Sequence, residues 1–130
     1  MRPGQLPGQR LPQGHVEVWC GDAPSGGLAR HYNRPHGGGV VKVAVVRVVF
    51  DVLKPRELDS TDLARSLCEL NGVSLVNIVV REVDVRTETI RLIVEGADVD
   101  IDDVLDKLDE MGCAVRSIDS VTAKRQGEQQ

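Results

Sequence analysis

One pattern occurs twice in this chain, first as Leu58-Asp59-Ser60-Thr61-Asp62-Leu63 and again as Val99-Asp100-Ile101-Asp102-Asp103-Val104. Each copy reads apolar residue, aspartate, two spacers, aspartate, apolar residue, which is typical of a helix N-cap flanked by a hydrophobic staple. Each helix is expected to run for about three turns and to end at a glycine, Gly72 or Gly112. The repeat therefore predicts two capped amphipathic helices.

Segments rich in β-branched residues flank both predicted helices. Strands are expected at residues 40–53, 73–84, 87–95 and 113–123, around helices at 60–71 and 101–111. The resulting order, βαββαβ, predicts an α+β ferredoxin-like sandwich, in which a four-stranded antiparallel sheet carries two helices on one face. The alternation of apolar and polar residues is imperfect at Ser117-Ile118-Asp119, which indicates a bulge or bend in the last strand.

The composition changes sharply after Gly39. Residues 1–39 hold 5 of the 6 prolines, 9 of the 13 glycines and all 3 histidines. We therefore expect a disordered Gly/Pro-rich extension at 1–39, in which the segment around Val16–Cys20 is a candidate short strand. A start codon further downstream, which would make this extension non-native, is an equally weighted alternative. Residues 40–124 are expected to form the ferredoxin-like domain and residues 125–130 a polar tail.

Charge and hydropathy exclude several classes of protein. Residues 40–130 carry 12 basic and 18 acidic residues and one aromatic residue, Phe50. Nucleic-acid binding needs clustered positive charge and usually stacking rings, so a nucleic-acid partner is not expected. No apolar run reaches the length of a membrane span, and no signal peptide is recognisable. We therefore expect a cytoplasmic protein with no membrane partner.

The sheet face that carries no helix, called the open face from here on, is predicted to be apolar. Its expected apolar positions are Val43, Val45, Val49, Leu75, Val79 and Ile93. Contiguous apolar surface of this extent is unusual on a monomer. The pattern therefore predicts a homo-oligomer that buries the open face.

Acidic residues in two places are candidate ligands for a divalent cation. Glu82 and Asp84 lie two apart on one strand and project to the same side, and Asp98 opens the acidic loop before the second helix. Calcium takes about six to eight oxygen ligands, many of them from carboxylates. Helix capping and solubility are the competing interpretation, because Asp100 already serves as an N-cap.

Polar residues on the open face and at strand ends are candidates for a ligand site or a subunit interface. Arg47, Asn77, Arg81 and Arg91 share the open face, where they are suited to hold a phosphate or carboxylate, or to pair across strands. Asp51 and Lys54 stand at a strand exit, where they would orient a ligand or pair across a subunit boundary. The candidate residues are Asp51, Lys54, Asn77, Arg81, Arg91, Glu95 and Asp119.

Five motifs in order resemble the archaeal family catalogued as domain of unknown function 211. They are Asp51-Val52-Leu53-Lys54-Pro55, Gly72-Val73 with Val76-Asn77-Ile78, Glu82-Val83-Asp84 with Thr87-Glu88, Val94-Glu95-Gly96 and Ser117-Ile118-Asp119-Ser120-Val121. The resemblance covers about residues 45–124. It implies a small ferredoxin-like fold, an archaeal cytoplasmic setting, ring-like or higher homo-oligomers and, from at least one member, calcium, with no established activity.

The chain departs from the family pattern at three points. Arg116 and Arg56 stand where the family usually has histidine, and Ala123-Lys124 replaces a common Ala-Gly-Lys ending. Any role of those histidines therefore does not transfer to this chain. The long N-terminal extension is also foreign to the pattern.

The predicted domain offers few groups for catalysis. It contains no histidine, so its serines lack the usual general base. The three cysteines show no disulfide framework, and Cys68 and Cys113 are expected to be small core hydrophobes. The sequence thus predicts a non-enzymatic homo-oligomeric domain with calcium as the candidate cofactor. The alternative is a regulatory module that binds a metabolite or anion at strand ends between subunits.

Overall fold

A computed structural model of the chain describes residues 14–21 and 42–126. Within these ranges it contains strands β1 (His15–Trp19), β2 (Lys42–Pro55), β3 (Leu75–Val83), β4 (Thr87–Glu95) and β5 (Ala114–Gln126), and helices α1 (Ser60–Cys68) and α2 (Ile101–Glu110). The strands form one antiparallel sheet in the order β1-β3-β4-β2-β5. Most of the predicted extension and the end of the predicted tail lie outside the described residues.

The predicted βαββαβ order is confirmed, and the fold is broadly ferredoxin-like, but the prediction of four strands is wrong. The fifth strand is β1, which pairs antiparallel with β3 from His15 opposite Val79 to Trp19 opposite Leu75. Val16 and Val18 on β1 pack against the hydrophobic core. Burial of these side chains offsets part of the entropy lost when the segment is ordered.

The core lies between the sheet and the two helices, which also contact each other. Alternate residues of β2 and β4 point towards the helices, as the two-residue period of a strand requires. The fully buried side chains include Val48, Phe50, Val52, Ile90, Leu92, Leu63, Leu67, Val104 and Leu108. Among the described residues, no helix combines the length and the apolar character needed to cross a bilayer.

Both helices begin at the aspartates that the repeated pattern predicts. The side chain of Asp59 accepts a hydrogen bond from the Thr61 backbone N–H (2.7 Å), and that of Asp100 accepts one from Asp103 N–H (3.2 Å). Each bond satisfies one of the N–H groups that a helix leaves unpaired at its start. The caps therefore explain why the chain turns from strand to helix at these two places.

The sheet is interrupted by β-bulges, one of which lies where the sequence predicts it. Between β2 and β5 the register shifts at Val49/Phe50 and at Asp51/Val52, and these shifts leave Asp119 and Arg116 as extra residues on β5. Between β3 and β4 the register shifts at Val80/Glu82, so that Arg81 is extra on β3. The expected irregularity around Ser117–Asp119 is thus confirmed as a bulge.

Two backbone segments approach closely where β4 leads towards α2. A Cβ atom added to Gly96 would lie 1.8 Å from the Gly72 carbonyl oxygen and 2.9 Å from the Cα atom of Val73. Backbone atoms cannot move aside as a flexible side chain does. The loop before α2 therefore requires glycine at this position.

We predict that Gly96→Ala lowers the free energy of unfolding by about 2 kcal/mol or more, because overpacking against a fixed backbone commonly costs about 1–3 kcal/mol. Gly14→Ala is the matched control, since an added Cβ there has no neighbour within 4 Å. Urea denaturation of both variants measures the difference. Equal urea midpoints for the two variants would show that the backbone of Gly72 does not restrict the side chain at position 96.

Candidate functional site

A polar groove of about 460 Å³ lies on the open face. We call it the arginine groove, after the three arginines in its lining. The lining residues are Asp51, Arg81, Glu82, Thr89, Arg91, Arg116 and Asp119. They come from the four strands β2 to β5, so a rigid sheet rather than a loop positions them.

Three of these residues reach the groove because they are bulge residues. Arg81, Arg116 and Asp119 are the extra residues of the three bulges described above. In a regular strand, side chains point strictly to alternate faces, and a bulge redirects the side chain of its extra residue. Bulges on two strands therefore gather charge at one point of the sheet.

The remaining polar positions follow from regular pairing. Asp51 on β2 lies directly opposite Arg91 on β4, and Thr89 lies two residues from Arg91 on the same strand. Cross-strand neighbours of this kind have Cβ atoms about 4.5–5.5 Å apart. Regular pairing thus places one acidic and one basic side chain side by side at the centre of the groove.

The groove holds three guanidinium groups and three carboxylates, so its formal charge is balanced. Within the described ranges, no carboxylate forms an ion pair with Arg81, Arg91 or Arg116, and all three arginines are exposed. Asp119 accepts a hydrogen bond from Ser117 Oγ (2.7 Å). The guanidinium donors therefore remain available for a ligand.

The groove brings together several residues that the sequence indicates. Asp51, Arg81, Arg91 and Asp119 are predicted ligand or interface residues, and Glu82 is a predicted metal ligand. Sequence reasoning missed Thr89 and Arg116 as parts of the site. The broken alternation after Ser117 is the signal for Arg116, because a bulge there moves neighbouring side chains onto the open face.

Asn77 and Glu95 lie apart from the groove and are occupied by other contacts. Asn77 Nδ2 donates a hydrogen bond to Glu17 Oε1 (3.1 Å), and Asn77 Oδ1 lies 2.9 Å from His15 Nε2. Glu95 Oε2 lies 3.5 Å from Arg47 Nε, a partly exposed cross-strand ion pair. Arg47 and Asn77 are therefore not grouped with Arg81 and Arg91 around one anion.

Lys54 lies on the helix side of the sheet, and its side chain is only 1% exposed. Its Nζ atom is 3.0 Å from Glu88 Oε1 and also donates hydrogen bonds to the carbonyl oxygens of Pro55 and Leu58. All three ammonium protons therefore have acceptors. Such full pairing is what burial of an ammonium group requires. The structure therefore does not bring Lys54 together with Asp51, which lines the groove on the opposite face.

The three candidate metal ligands are divided between opposite ends of the sheet. Glu82 and Asp84 lie at the β3–β4 turn, while Asp98 follows β4 at its other end, where Glu95 pairs with Leu75. In the described part of the chain, no three His, Cys, Asp or Glu side chains converge in a way that could hold a metal ion. A single site containing all three residues is thus ruled out by the register, and calcium binding stays a prediction.

The predicted oligomer face is less uniformly apolar than the sequence indicates. Val43 is 63% exposed, whereas Val49 is buried within the single chain. The other four positions, Val45, Leu75, Val79 and Ile93, are half-buried among polar neighbours. On β5, Ile118 and Val121 are 42% and 50% exposed, but they pair with the helix-facing residues Phe50 and Val48 and so do not belong to the open face.

The prediction that the cysteines form no disulfide is wrong, since Cys20 and Cys68 are bonded to each other across a sequence separation of 48 residues. The bond links the end of β1 to the end of α1. Cys113 is the free cysteine and is buried, as expected of a core residue. Burial raises the pKa of its thiol to about 11, while the positive charge of Lys54 acts in the opposite direction.

We predict that Cys113 resists alkylation. Alkylation requires the thiolate. Because the pKa of Cys113 is raised to about 11, its thiol stays protonated near neutral pH in the native protein, and the alkylation rate rises only as the pH approaches 11. Under non-reducing conditions, iodoacetamide should label the native protein at least about 100-fold more slowly than the urea-unfolded protein near neutral pH, since two pKa units correspond to that factor. If the labelling rate of the native protein reached its plateau at about pH 9, the Cys113 thiol would have an ordinary pKa, and the prediction would be wrong.

Comparison with known proteins assigns the chain to a family. An uncharacterized protein of Methanocaldococcus jannaschii is 39% identical over 77 residues, a match that covers 59% of this chain and 79% of that protein. Residues 46–127 match a family of uncharacterized proteins described as ArCR. These residues contain the whole lining of the arginine groove, whereas β1 and Cys20 precede them. The chain therefore belongs to the domain of unknown function 211 family.

Proposed function

We propose that this chain is a non-enzymatic regulatory module whose arginine groove binds a small metabolite through a carboxylate or phosphate group. One observation carries the proposal. Arg81, Arg91 and Arg116 line a single groove, and none of them forms an ion pair with a carboxylate of the described residues.

Arginine suits this role because its planar guanidinium group offers several N–H donors in a fixed arrangement. Such a group binds carboxylate and phosphate oxygens in a bidentate manner. Arg81 and Arg116 sit at bulges, and Arg91 sits at a regular position of β4. Donors mounted on paired strands lose less conformational freedom on binding than donors on loops do.

The balanced charge of the groove favours a ligand that carries both signs. Asp51, Glu82 and Asp119 would accept hydrogen bonds from an ammonium group, while the arginines hold the acidic group. The groove has a volume of about 460 Å³ and is open to solvent, so it has room for a small molecule. A zwitterion such as an α-amino acid therefore fits this site better than a bare multivalent anion.

The lining also supports a binding role over a catalytic one. It contains arginine, aspartate, glutamate and threonine side chains and neither histidine nor cysteine. Cys113 is buried, and burial raises its pKa away from the range in which a thiolate forms. A hydroxyl such as that of Thr89 would need a general base to act as a nucleophile, and the described lining of the groove contains no histidine.

We predict saturable binding of an α-amino acid in a titration-calorimetry screen of the common amino acids and inorganic phosphate. Arg91→Gln and Arg116→Gln should each weaken the affinity by about tenfold or more, since a hydrogen bond to a charged group contributes about 1.5–3 kcal/mol. Arg65→Gln is the control, because Arg65 is exposed on α1 away from the groove. Binding that all three variants retain equally, or no binding by the whole panel at millimolar concentration, would overturn the proposal.

Self-association is a second proposed property, supported by the surface around β5. Val43, Ile118 and Val121 are large apolar side chains with substantial exposure. They lie on the paired strands β2 and β5, and among the described residues β5 has no partner strand on its outer side. Exposed edge strands pair readily with further chains unless they are covered. Pairing of β5 with a second copy of the chain would bury this edge.

We predict that the chain sediments as an oligomer at micromolar concentration. Val121→Lys should raise the dissociation constant by about tenfold or more, because it places a charge on the buried edge. Val85→Lys is the matched control, since Val85 is also exposed but lies at the β3–β4 turn. Sedimentation velocity distinguishes the outcomes, and a purely monomeric wild-type protein would exclude self-association.

A further inference from the structure

Strand β1 precedes the family-matched residues 46–127 and extends the sheet beyond β3. Its backbone hydrogen bonds to β3 run from Val80 N–H to Gly14 O (2.9 Å) as far as Cys20 N–H to Ser74 O (3.0 Å). The disulfide of Cys20 with Cys68 then ties the same segment to α1. The strand therefore has two separate attachments, one to the sheet and one to a helix.

The attachment to the sheet is small. β1 has five residues, and its inward side chains Val16 and Val18 are only half-buried. Trp19 points outwards and is 70% exposed. A short edge strand that buries little apolar area opens easily, as local unfolding generally begins at such elements. The disulfide limits this opening because it keeps Cys20 beside Cys68 even when the backbone bonds break.

We propose that the Cys20–Cys68 disulfide is a redox clamp, whose reduction releases β1 and uncovers the outer edge of β3. Cys20 and Cys68 are both partly exposed residues, and opening of the short strand β1 gives a small dithiol access to the bond between them. One thiolate of the dithiol attacks a sulfur, breaks the S–S bond and forms a mixed disulfide, which the second thiolate of the dithiol resolves. Two electrons and two protons pass to Cys20 and Cys68, which become thiols, while the dithiol is oxidised to a disulfide.

Release of β1 changes two parts of the surface. His15 and Glu17 leave the side chain of Asn77, which alters the polar pattern of the open face. Along an antiparallel strand, successive N–H groups point alternately to the two neighbouring strands. Val80 N–H points to β1, so the N–H groups of Ile78 and Val76, two and four residues earlier, also point to β1. These three amides become accessible to water when β1 departs. The inference is independent of the proposed ligand site.

The full chain carries one tryptophan, Trp19, which reports directly on β1. Its fluorescence anisotropy and the amide exchange of β3 are measured by fluorescence and NMR before and after treatment with dithiothreitol. Complete reduction is verified by an increase from one to three thiols after unfolding in urea. We expect the anisotropy to fall and exchange at Val76, Ile78 and Val80 to accelerate by about tenfold or more.

Two internal controls accompany this experiment. Leu75, Asn77 and Val79 direct their N–H groups to β4, so their exchange should stay within about twofold of the oxidised value. The double variant Cys20→Ser/Cys68→Ser should match the reduced protein without any reductant, whereas Cys113→Ser should retain the response. Unchanged anisotropy and β3 protection after full reduction would overturn the inference, and so would a uniform acceleration that signals global unfolding.

Discussion

The architecture depends on the alternation of side chains from Val48 to Val52 on β2, the strand that pairs with both β4 and β5. Val48, Phe50 and Val52 all point to the helices and are fully buried. A shift of pairing by one residue would expose all of them, so the register is fixed by their burial. Lys54 and Glu88, the charged residues buried on the helix side of the described sheet, accordingly pair with each other.

The bulges are the exceptions to this alternation, and they produce the candidate site. Arg81, Arg116 and Asp119 are extra residues that the partner strands do not match. These bulges do not change the register of the core residues, and they place three charged side chains in the groove that Asp51 and Arg91 also line. The described lining of the groove lies within the family-matched residues 46–127, whereas β1 and Cys20 precede them.

Much of the fold is predictable because its determinants are local. Asp59 and Asp100 form the predicted caps, and the irregular pattern at Ser117–Asp119 corresponds to a real bulge. The sequence indicates a candidate strand around Val16–Cys20, but its pairing with β3 and the Cys20–Cys68 bond are not predictable in this way, because both depend on contacts between residues far apart in the chain. At Arg81 the only signal is that strict alternation from Val80 would point Glu82 to the core, and a polar residue so close to the β3–β4 turn does not by itself indicate a bulge.

The buried ammonium group of Lys54 has a consequence for how the molecule folds and opens. It connects the end of β2 to Glu88 at the start of β4 and to the Leu58 carbonyl just ahead of α1. If the turn before α1 detached alone, a lysine charge would lose acceptors inside an apolar interior, at a cost of several kcal/mol. The connection from β2 to α1 and the paired strands β2 and β4 should therefore fold and unfold together as one cooperative unit, without a state in which only the connection is open.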